Sequence, residues 1–157
     1  MKSGQLQSTY TPSLSADLTN KLYVDENFSG NYVTVTKNTD YEWTTASTWY
    51  IVPGMTTAAV SSDGTYFVSC TINVSQTTTN DAFRFRFTDG TTPFGAPRLE
   101  VTAPAANHIH SYTLTGTLDL GSGDTVGLQV YGVGTGSKKI RGDANRVNTL
   151  TAIRIGS

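Results

Sequence analysis

From Trp49 onward, the sequence is a series of strand-length runs separated by turn residues. Pairs such as Pro53-Gly54, Asp63-Gly64 and Asp89-Gly90 lie between runs and favour tight turns. Roughly seven or eight short strands, with a turn about every eight to twelve residues, predict a single all-β domain, an antiparallel β-sandwich or jelly roll. The runs are "TWYIV", "TTAAV", "TYFVSCTINV", "AFRFRF", "RLEVT", "SYTLTGTLDL", "TVGLQVYGV" and "LTAIRI".

Composition and alternation agree with this prediction. The chain contains 27 threonines and 15 glycines, and only 15% of its residues are charged; β-branched residues suit pleated strands, and glycine suits turns. In "AFRFRF" we expect Phe83, Phe85 and Phe87 to face the core, with Arg84 and Arg86 on the other side of the strand. The best helical candidate is a short turn in "SLSADLTNKL", where the leucines are spaced by four residues.

Charge and cysteine content exclude several classes of function. The net charge of −1 and the pI near 6.0 provide no basic field for nucleic acid or an anionic membrane, so neither is expected as a partner. Cys70 is the only cysteine, which excludes an intramolecular disulfide and a cysteine-based zinc site. The N-terminus lacks the apolar core of a signal peptide, and no run approaches about 18 apolar residues, so we expect assembly in the cytoplasm.

Residues 1–45 differ from the rest of the chain. They are polar, contain Pro12 and Gly30, and have one strand-like stretch, "NYVTVT". A segment of this composition buries too little apolar area to fold alone. We interpret it as an extended N-terminal arm that lies along a partner, followed by a jelly-roll domain at 46–157. The apolar residues expected to bind that partner are Leu6, Tyr10, Leu14, Leu18, Leu22 and Tyr23.

Three landmarks lie on and between the predicted strands. Gly64 and Tyr66 open a long strand, and an apolar strand ends the chain. Between them lies a turn of the Leu-x-x-Gly-Asp-x-Val-x-Leu type with one inserted residue. Together they resemble the jelly roll shared by tumour necrosis factor and the globular heads of complement. The resemblance covers about residues 46–157 and implies a homotrimer in which aromatic residues of the inner sheets pack together. The turn comprises Leu120, Gly123, Asp124, Val126 and Leu128.

Among proteins with this jelly roll, the chain resembles the virion proteins of tailed bacteriophages more than the animal proteins. It implies a capsid decoration (cement) protein that binds the major capsid protein on the virion surface and stabilises the shell through its N-terminal arm. One alternative is the receptor-binding tip of a tail or head fibre, which recognises a host-surface glycan or protein. A third is a secreted complement-like ligand-binding module. The absence of repeats, heptads and a fibre shaft favours decoration.

The sequence does not predict an enzyme or a cofactor. Its two histidines both lie in "NHIH", and it contains neither a Gly-x-Ser-x-Gly elbow nor a phosphate-binding loop. His108 and His110 would face the same side of an extended strand and are weak metal candidates, with solvent-facing histidines as the simpler interpretation. Asp124 and Asp143 lie in loops, where their carboxylate oxygens could bind calcium. Turns also use Asp for backbone geometry alone, which is the simpler interpretation.

The remaining candidates are surface residues. We expect large aromatic side chains near strand ends to pack between subunits, although they could also line a glycan groove. Arg84 and Arg86 could bind a carboxylate or phosphate, or pair with Glu100 on a neighbouring strand. Arg141-Gly142-Asp143 matches a cell-adhesion tripeptide, but the same residues are ordinary hairpin chemistry. The interface candidates are Trp43, Trp49, Tyr50 and Phe94; the distal-loop candidates are Arg141, Gly142, Asp143 and Asp124.

Overall fold

The computed structural model describes residues 32–44, 47–78, 82–102 and 105–156, with the side chains of 96–98 left out. The arm residues named above and the predicted helical turn lie outside these ranges. The described residues form ten β-strands and no helix, which confirms the all-β prediction. The strands are β1 Tyr32–Lys37, β2 Tyr41–Trp43, β3 Trp49–Thr56, β4 Gly64–Gln76, β5 Ala82–Thr88, β6 Pro93–Thr102, β7 His110–Leu120, β8 Gly127–Val133, β9 Lys138–Ile140 and β10 Asn148–Gly156.

The strands form two antiparallel sheets, as expected for a jelly roll. The smaller sheet has the order β3-β8-β5-β6. In the larger sheet, β4 is the central strand and pairs with β7 along one edge. Its other edge pairs first with β10 and then with β9. Strand β1 extends the sheet beyond β10, and β2 extends it beyond β9.

The core lies between the two sheets, where alternate residues of facing strands meet. Phe83, Phe85 and Phe87 are fully buried, which confirms the inward face predicted for β5. Phe83 stacks on Phe85 with ring centroids 6.0 Å apart. Among the described residues, one buried side chain is charged: the ammonium group of Lys138 donates to the carbonyl oxygens of Gly134 and Gly136. These bonds supply the polar partners that a buried ammonium group needs.

Strands β1 and β2 correct the predicted start of the sandwich. Both lie in the segment assigned to the arm, yet they are hydrogen-bonded members of the larger sheet. Val33 and Val35 turn inward against the core, while Tyr32 is exposed. The described sandwich therefore begins before residue 45, with β1 at Tyr32. The alternation in "NYVTVT" was visible in the sequence, but its partner strand lies about a hundred residues further along the chain.

The sandwich has two ends that matter for its surfaces. The terminal end holds the start of β1 and the end of β10, because Tyr32 is paired with Ile153. The distal end holds the β9–β10 loop, where Lys37 is paired with Asn148. The β7–β8 turn containing Asp124 lies at the terminal end, since Leu120 is paired with Gly64 at the start of β4. The distal-loop prediction is therefore wrong for Asp124 and places residues 141–143 correctly.

Candidate interaction surfaces

The outer face of the larger sheet carries rows of hydroxyl groups. Two rows cross its four long strands, and neighbouring hydroxyls are hydrogen-bonded within them: the Thr34 and Thr151 oxygens are 3.0 Å apart, and those of Thr71 and Thr113 are 3.3 Å apart. These hydroxyl rows contain no charged side chain. Their members are Thr34, Thr151, Ser69 and Thr115 in one row, and Thr36, Thr149, Thr71 and Thr113 in the other.

A row of exposed apolar side chains lies beside the hydroxyl rows, towards the terminal end. Tyr32, Ile153 and Phe67 are paired across β1, β10 and β4, and they are 60%, 45% and 39% exposed. Ile155 is 59% exposed on the same strand as Ile153. Clustered apolar side chains of this size are typical of a surface that another protein covers. We call these four residues the apolar corner.

The predicted interface residues lie elsewhere. Trp43 is only 5% exposed and packs edge-on against Phe83 in the core, so its prediction as a subunit contact is wrong for the described fold. Tyr50 and Phe94 are half-buried and pack against the same core. Trp49 lies on the outer face of the smaller sheet, in register with Tyr131. None of the four contributes to the apolar corner.

The outer face of the smaller sheet contains a second surface feature, the small-sheet cleft. It has a volume of about 430 Å³ and is lined by Trp49, Arg84, Leu99 and Glu100. Arg84 forms an ion pair with Glu100 at 2.9 Å, which confirms the predicted cross-strand partner. Its guanidinium carbon also lies 5.3 Å from the centroid of the Tyr131 ring.

Arg86 rigidifies one side of this surface. Its guanidinium carbon lies 3.9 Å from the centroid of the Trp49 ring, within the range of a cation–π contact. Its Nε donates to the side-chain oxygen of Gln129 at 2.7 Å. The Trp49 ring is also tilted against Tyr131, with centroids 5.3 Å apart. The indole is therefore held in place at the sheet surface.

The Arg-Gly-Asp tripeptide is built into the distal end. Arg141 forms an ion pair with Asp40 at 2.8 Å, and the Gly142 amide donates to the other oxygen of the same carboxylate at 2.9 Å. Gly142 lies against the backbone of Asn38 and Thr39 and leaves no space for a side chain. The first two residues of the tripeptide thus join the β9–β10 loop to the β1–β2 connection.

Asp143 has partners within its own loop. Its carboxylate accepts a hydrogen bond from the Asn145 amide at 2.8 Å and forms an ion pair with Arg146. The Asn145 bond and the nearby Arg146 charge hold the pKa of Asp143 below its ordinary value. The loop therefore uses the carboxylate to fix its own turn, which is the simpler of the two interpretations of the tripeptide.

The weak metal candidates do not converge. Asn107 has a positive φ of 60°, and the strand begins only at His110, so His108 is outside it and exposed. The His110 ring lies 6.3 Å from that of Tyr112. Asp124 accepts a hydrogen bond from the Gly121 amide at 2.8 Å and stabilises its own turn. Across the described ranges, no group of three or more His, Cys, Asp or Glu side chains lies close enough to hold a metal ion.

Two further observations concern reactivity and membranes. Cys70 is buried in the core, and burial raises the pKa of its thiol, which opposes formation of the nucleophilic thiolate. Within the part of the chain that the structure describes, no helix has the length and hydrophobicity needed to span a bilayer.

The architecture has a counterpart among solved structures. No protein-family model matches the sequence, and no curated protein matches it. The chain is similar in structure to the Eiger tumour necrosis factor from S. frugiperda, with a TM-score of 0.52 and 10% sequence identity. The match covers 81% of this chain and 94% of that one. At this identity the likeness concerns the fold alone, and the chain has a tumour necrosis factor-like jelly-roll fold.

Proposed function

We propose that the protein is a structural virion protein of a tailed bacteriophage: a homotrimeric capsid decoration protein that binds the head surface and stabilises the shell through its N-terminal arm. The main support is the outer face of the larger sheet, which combines the apolar corner with uncharged hydroxyl rows. Such a face suits association, because apolar groups are covered while hydroxyls can pair across the contact. The trimer and the virion context come from the family resemblance.

The partner of this face, in the proposal, is a second and third copy of the same chain. The apolar corner supplies side chains that lose water on contact. The hydroxyl rows beside it carry no charge, so their burial leaves no charged group without a partner. Trp43 belongs to the core, so the corner replaces the strand-end aromatics as the proposed subunit contact. The key residues are Tyr32, Phe67, Ile153 and Ile155.

The proposed arm precedes Tyr32, which lies at the terminal end of the sandwich. In the proposal this end faces the shell, and the arm extends across neighbouring capsid subunits. Three arms per trimer would act together, so several weak contacts would give strong overall binding. The distal end, with residues 141–147, would then face away from the shell.

A capsid-addition experiment tests this function. Purified protein is mixed with capsids that lack it; the proposal expects saturable, stoichiometric addition and greater resistance of the shell to heat. A deletion of residues 1–20 is expected to leave a folded trimer that does not add to capsids, while the distal variant Arg146→Gln is expected to add normally. Binding to host cells without any binding to capsids contradicts the proposal.

The small-sheet cleft favours a second candidate, recognition of a host-surface glycan by a fibre tip. The indole of Trp49, held by Arg86, offers a stacking surface, and Arg84 and Glu100 add donors and acceptors in the same cleft. A glycan-binding assay distinguishes the two functions. The fibre tip is supported if the wild type binds a glycan but not capsids, and Trp49→Ala abolishes glycan binding. Decoration is supported if the protein adds to capsids and Trp49→Ala does not change this addition.

A further inference from the structure

A pocket at the distal end of the larger sheet shares Arg141 with the tripeptide and is otherwise separate from the surfaces described above. Its volume is about 230 Å³, slightly below the range of roughly 300–1,000 Å³ typical of drug-sized ligands. Three segments form its walls: the end of β4, the loop before β7, and the chain from Ser137 to Arg141 that contains β9. We call it the distal pocket. The polar residues on which its chemistry depends are Ser75, Thr77, Asn107, Ser137, Lys139 and Arg141.

Hydrogen bonds from backbone amides hold the three walls together. The Thr77 amide donates to the Ser137 carbonyl at 3.0 Å, and the Ser137 amide donates to the Thr77 hydroxyl at 2.9 Å. The Asn107 amide donates to the carbonyl of Gln76 at 2.7 Å. The pocket is therefore formed before any ligand arrives, which lowers the entropic cost of binding.

The charged side chains that line the pocket are both cations. Lys139 forms an ion pair with Glu42 at 2.9 Å, and Arg141 forms one with Asp40 at 2.8 Å. Neither carboxylate lines the pocket. Each cation is thus paired with a carboxylate outside the pocket lining, and the charged side chains that border the pocket itself are a lysine and an arginine.

The donors in the pocket outnumber those used by these ion pairs. An ammonium group has three N–H donors and a guanidinium has five. Within the described residues, the side-chain partner of Lys139 is Glu42 and that of Arg141 is Asp40. The Ser75 hydroxyl adds a further donor in the β4 wall. This combination of positive charge and N–H and O–H donors matches an oxyanion, whose ionised oxygens accept hydrogen bonds.

We propose that the distal pocket binds a small oxyanion, either a phosphate or sulfate group or the carboxylate of a sugar acid. Lys139 and Arg141 supply the charge, and the hydroxyls of Ser75 and Thr77 border the site. The described residues that line the pocket include no carboxylate that could bind a metal cation. The assignment also gives Arg141 a ligand-facing role that does not depend on an adhesion tripeptide. It concerns the single chain and is independent of the proposed trimer and capsid.

The test is a titration of the full chain followed by amide chemical shifts in NMR spectra. Inorganic phosphate, sulfate and glucuronate are added separately, with chloride used to keep the ionic strength constant. Saturable shifts at residues 75–77, 107 and 137–141 are expected with at least one of these anions. Tighter binding of phosphate or sulfate assigns the inorganic group, and tighter binding of glucuronate assigns a sugar acid.

Variants separate the pocket from a general effect of charge. Lys139→Met is expected to weaken binding by about ten- to a hundredfold, the usual effect of losing a charge-assisted hydrogen bond, and Lys139→Arg is expected to retain most of the affinity. Arg146→Gln is the matched control, because it also removes one cation and one exposed ion pair at the distal end but does not line the pocket.

Three results would overturn the proposal. The first is the absence of saturable shifts with all three anions. The second is an equal effect of chloride, which would indicate screening alone. The third is an equal loss of affinity in Lys139→Met and Arg146→Gln. A native amide spectrum is the criterion that each variant has folded, so that a loss of binding can be attributed to the pocket.

Discussion

Individual residues at the distal end show why a short motif cannot be interpreted without its surroundings. Gly142 lies so close to the β1–β2 connection that an added Cβ would be 2.6 Å from the Thr39 nitrogen and 2.7 Å from the Asn38 carbonyl carbon. Both neighbours are backbone atoms, which cannot rotate away as a side chain can. The glycine of the tripeptide is therefore required by packing between two loops.

Gly142→Ala is expected to destabilise the fold by about 1–3 kcal/mol, the usual cost of overpacking. Thermal unfolding followed by circular dichroism measures the change. Gly95→Ala is the control, because a Cβ at Gly95 meets no atom within 4 Å, and its melting temperature should stay close to that of the wild type. Equal melting temperatures for the two variants would contradict the close approach at Gly142.

Phe85→Ala is expected to cost about 3–5 kcal/mol, because the ring is fully buried and its removal leaves a cavity. Urea denaturation of the variant and the wild type gives the difference in unfolding free energy. Phe94→Ala should cost less, since Phe94 is only partly buried at the edge of the core. An unchanged midpoint for Phe85→Ala would show that the inward face of β5 is misassigned.

At the scale of elements, alternation predicted the long strands well and the short ones poorly. Strands β5, β7 and β10 match their predicted runs closely. The predicted strand "TTAAV" is mostly loop, because β3 continues through Pro53-Gly54 to Thr56 with an irregular pairing register. Strand β2 has only three residues and gains its order from pairing with β9, a tertiary effect that a local pattern cannot reveal.

The β5–β6 turn makes the stability of the fold depend on pH. Asp89 accepts hydrogen bonds from the Thr91 and Thr92 amides at 2.8 and 2.6 Å, and these bonds lower its pKa below the ordinary value of 3.8. A lowered folded-state pKa means that the charged carboxylate stabilises the fold at neutral pH. That contribution is complete above the ordinary pKa and disappears as the pH falls through the lower folded value.

Asp89→Asn keeps a side-chain oxygen acceptor but removes the charge. We expect a lower melting temperature than the wild type at pH 7. The difference between the two proteins should shrink as the pH falls through the lowered folded pKa, because the wild-type carboxyl then becomes protonated. Melting temperatures recorded from pH 2 to 7 test this expectation. Parallel curves over the whole range would mean that the Asp89 charge contributes nothing to the turn.

At the scale of the whole molecule, the sequence revealed the sandwich but not its exposed surface. Alternation separates two faces of each strand, and burial of either face satisfies the same pattern. Phe67 and Ile153 therefore looked like ordinary strand residues until the sheet order placed them together. Trp43 was misassigned for the same reason, because the residue that packs against it, Phe83, lies on a distant strand. The distal pocket also joins segments that are far apart in the sequence.

Ile153→Asp is expected to convert the proposed trimer into a folded monomer, because each charge buried without a partner costs about 3–5 kcal/mol. Sedimentation velocity measures the mass, and circular dichroism shows that the fold persists. The control is Ile51→Asp on the outer face of the smaller sheet, since Ile51 is 43% exposed and Ile153 is 45% exposed. Wild-type monomers, or trimers of Ile153→Asp, would contradict the proposed contact face.

The position of β10 between β1 and β4 has a consequence for biosynthesis. A ribosome releases the N-terminal strand early, but the partner of that strand is Asn148–Gly156, about a hundred residues later. The larger sheet cannot close while this segment is still inside the exit tunnel. The apolar inner faces of β1 and β4 therefore stay unpaired with β10 during translation. In this period a growing chain is most exposed to aggregation and to chaperones.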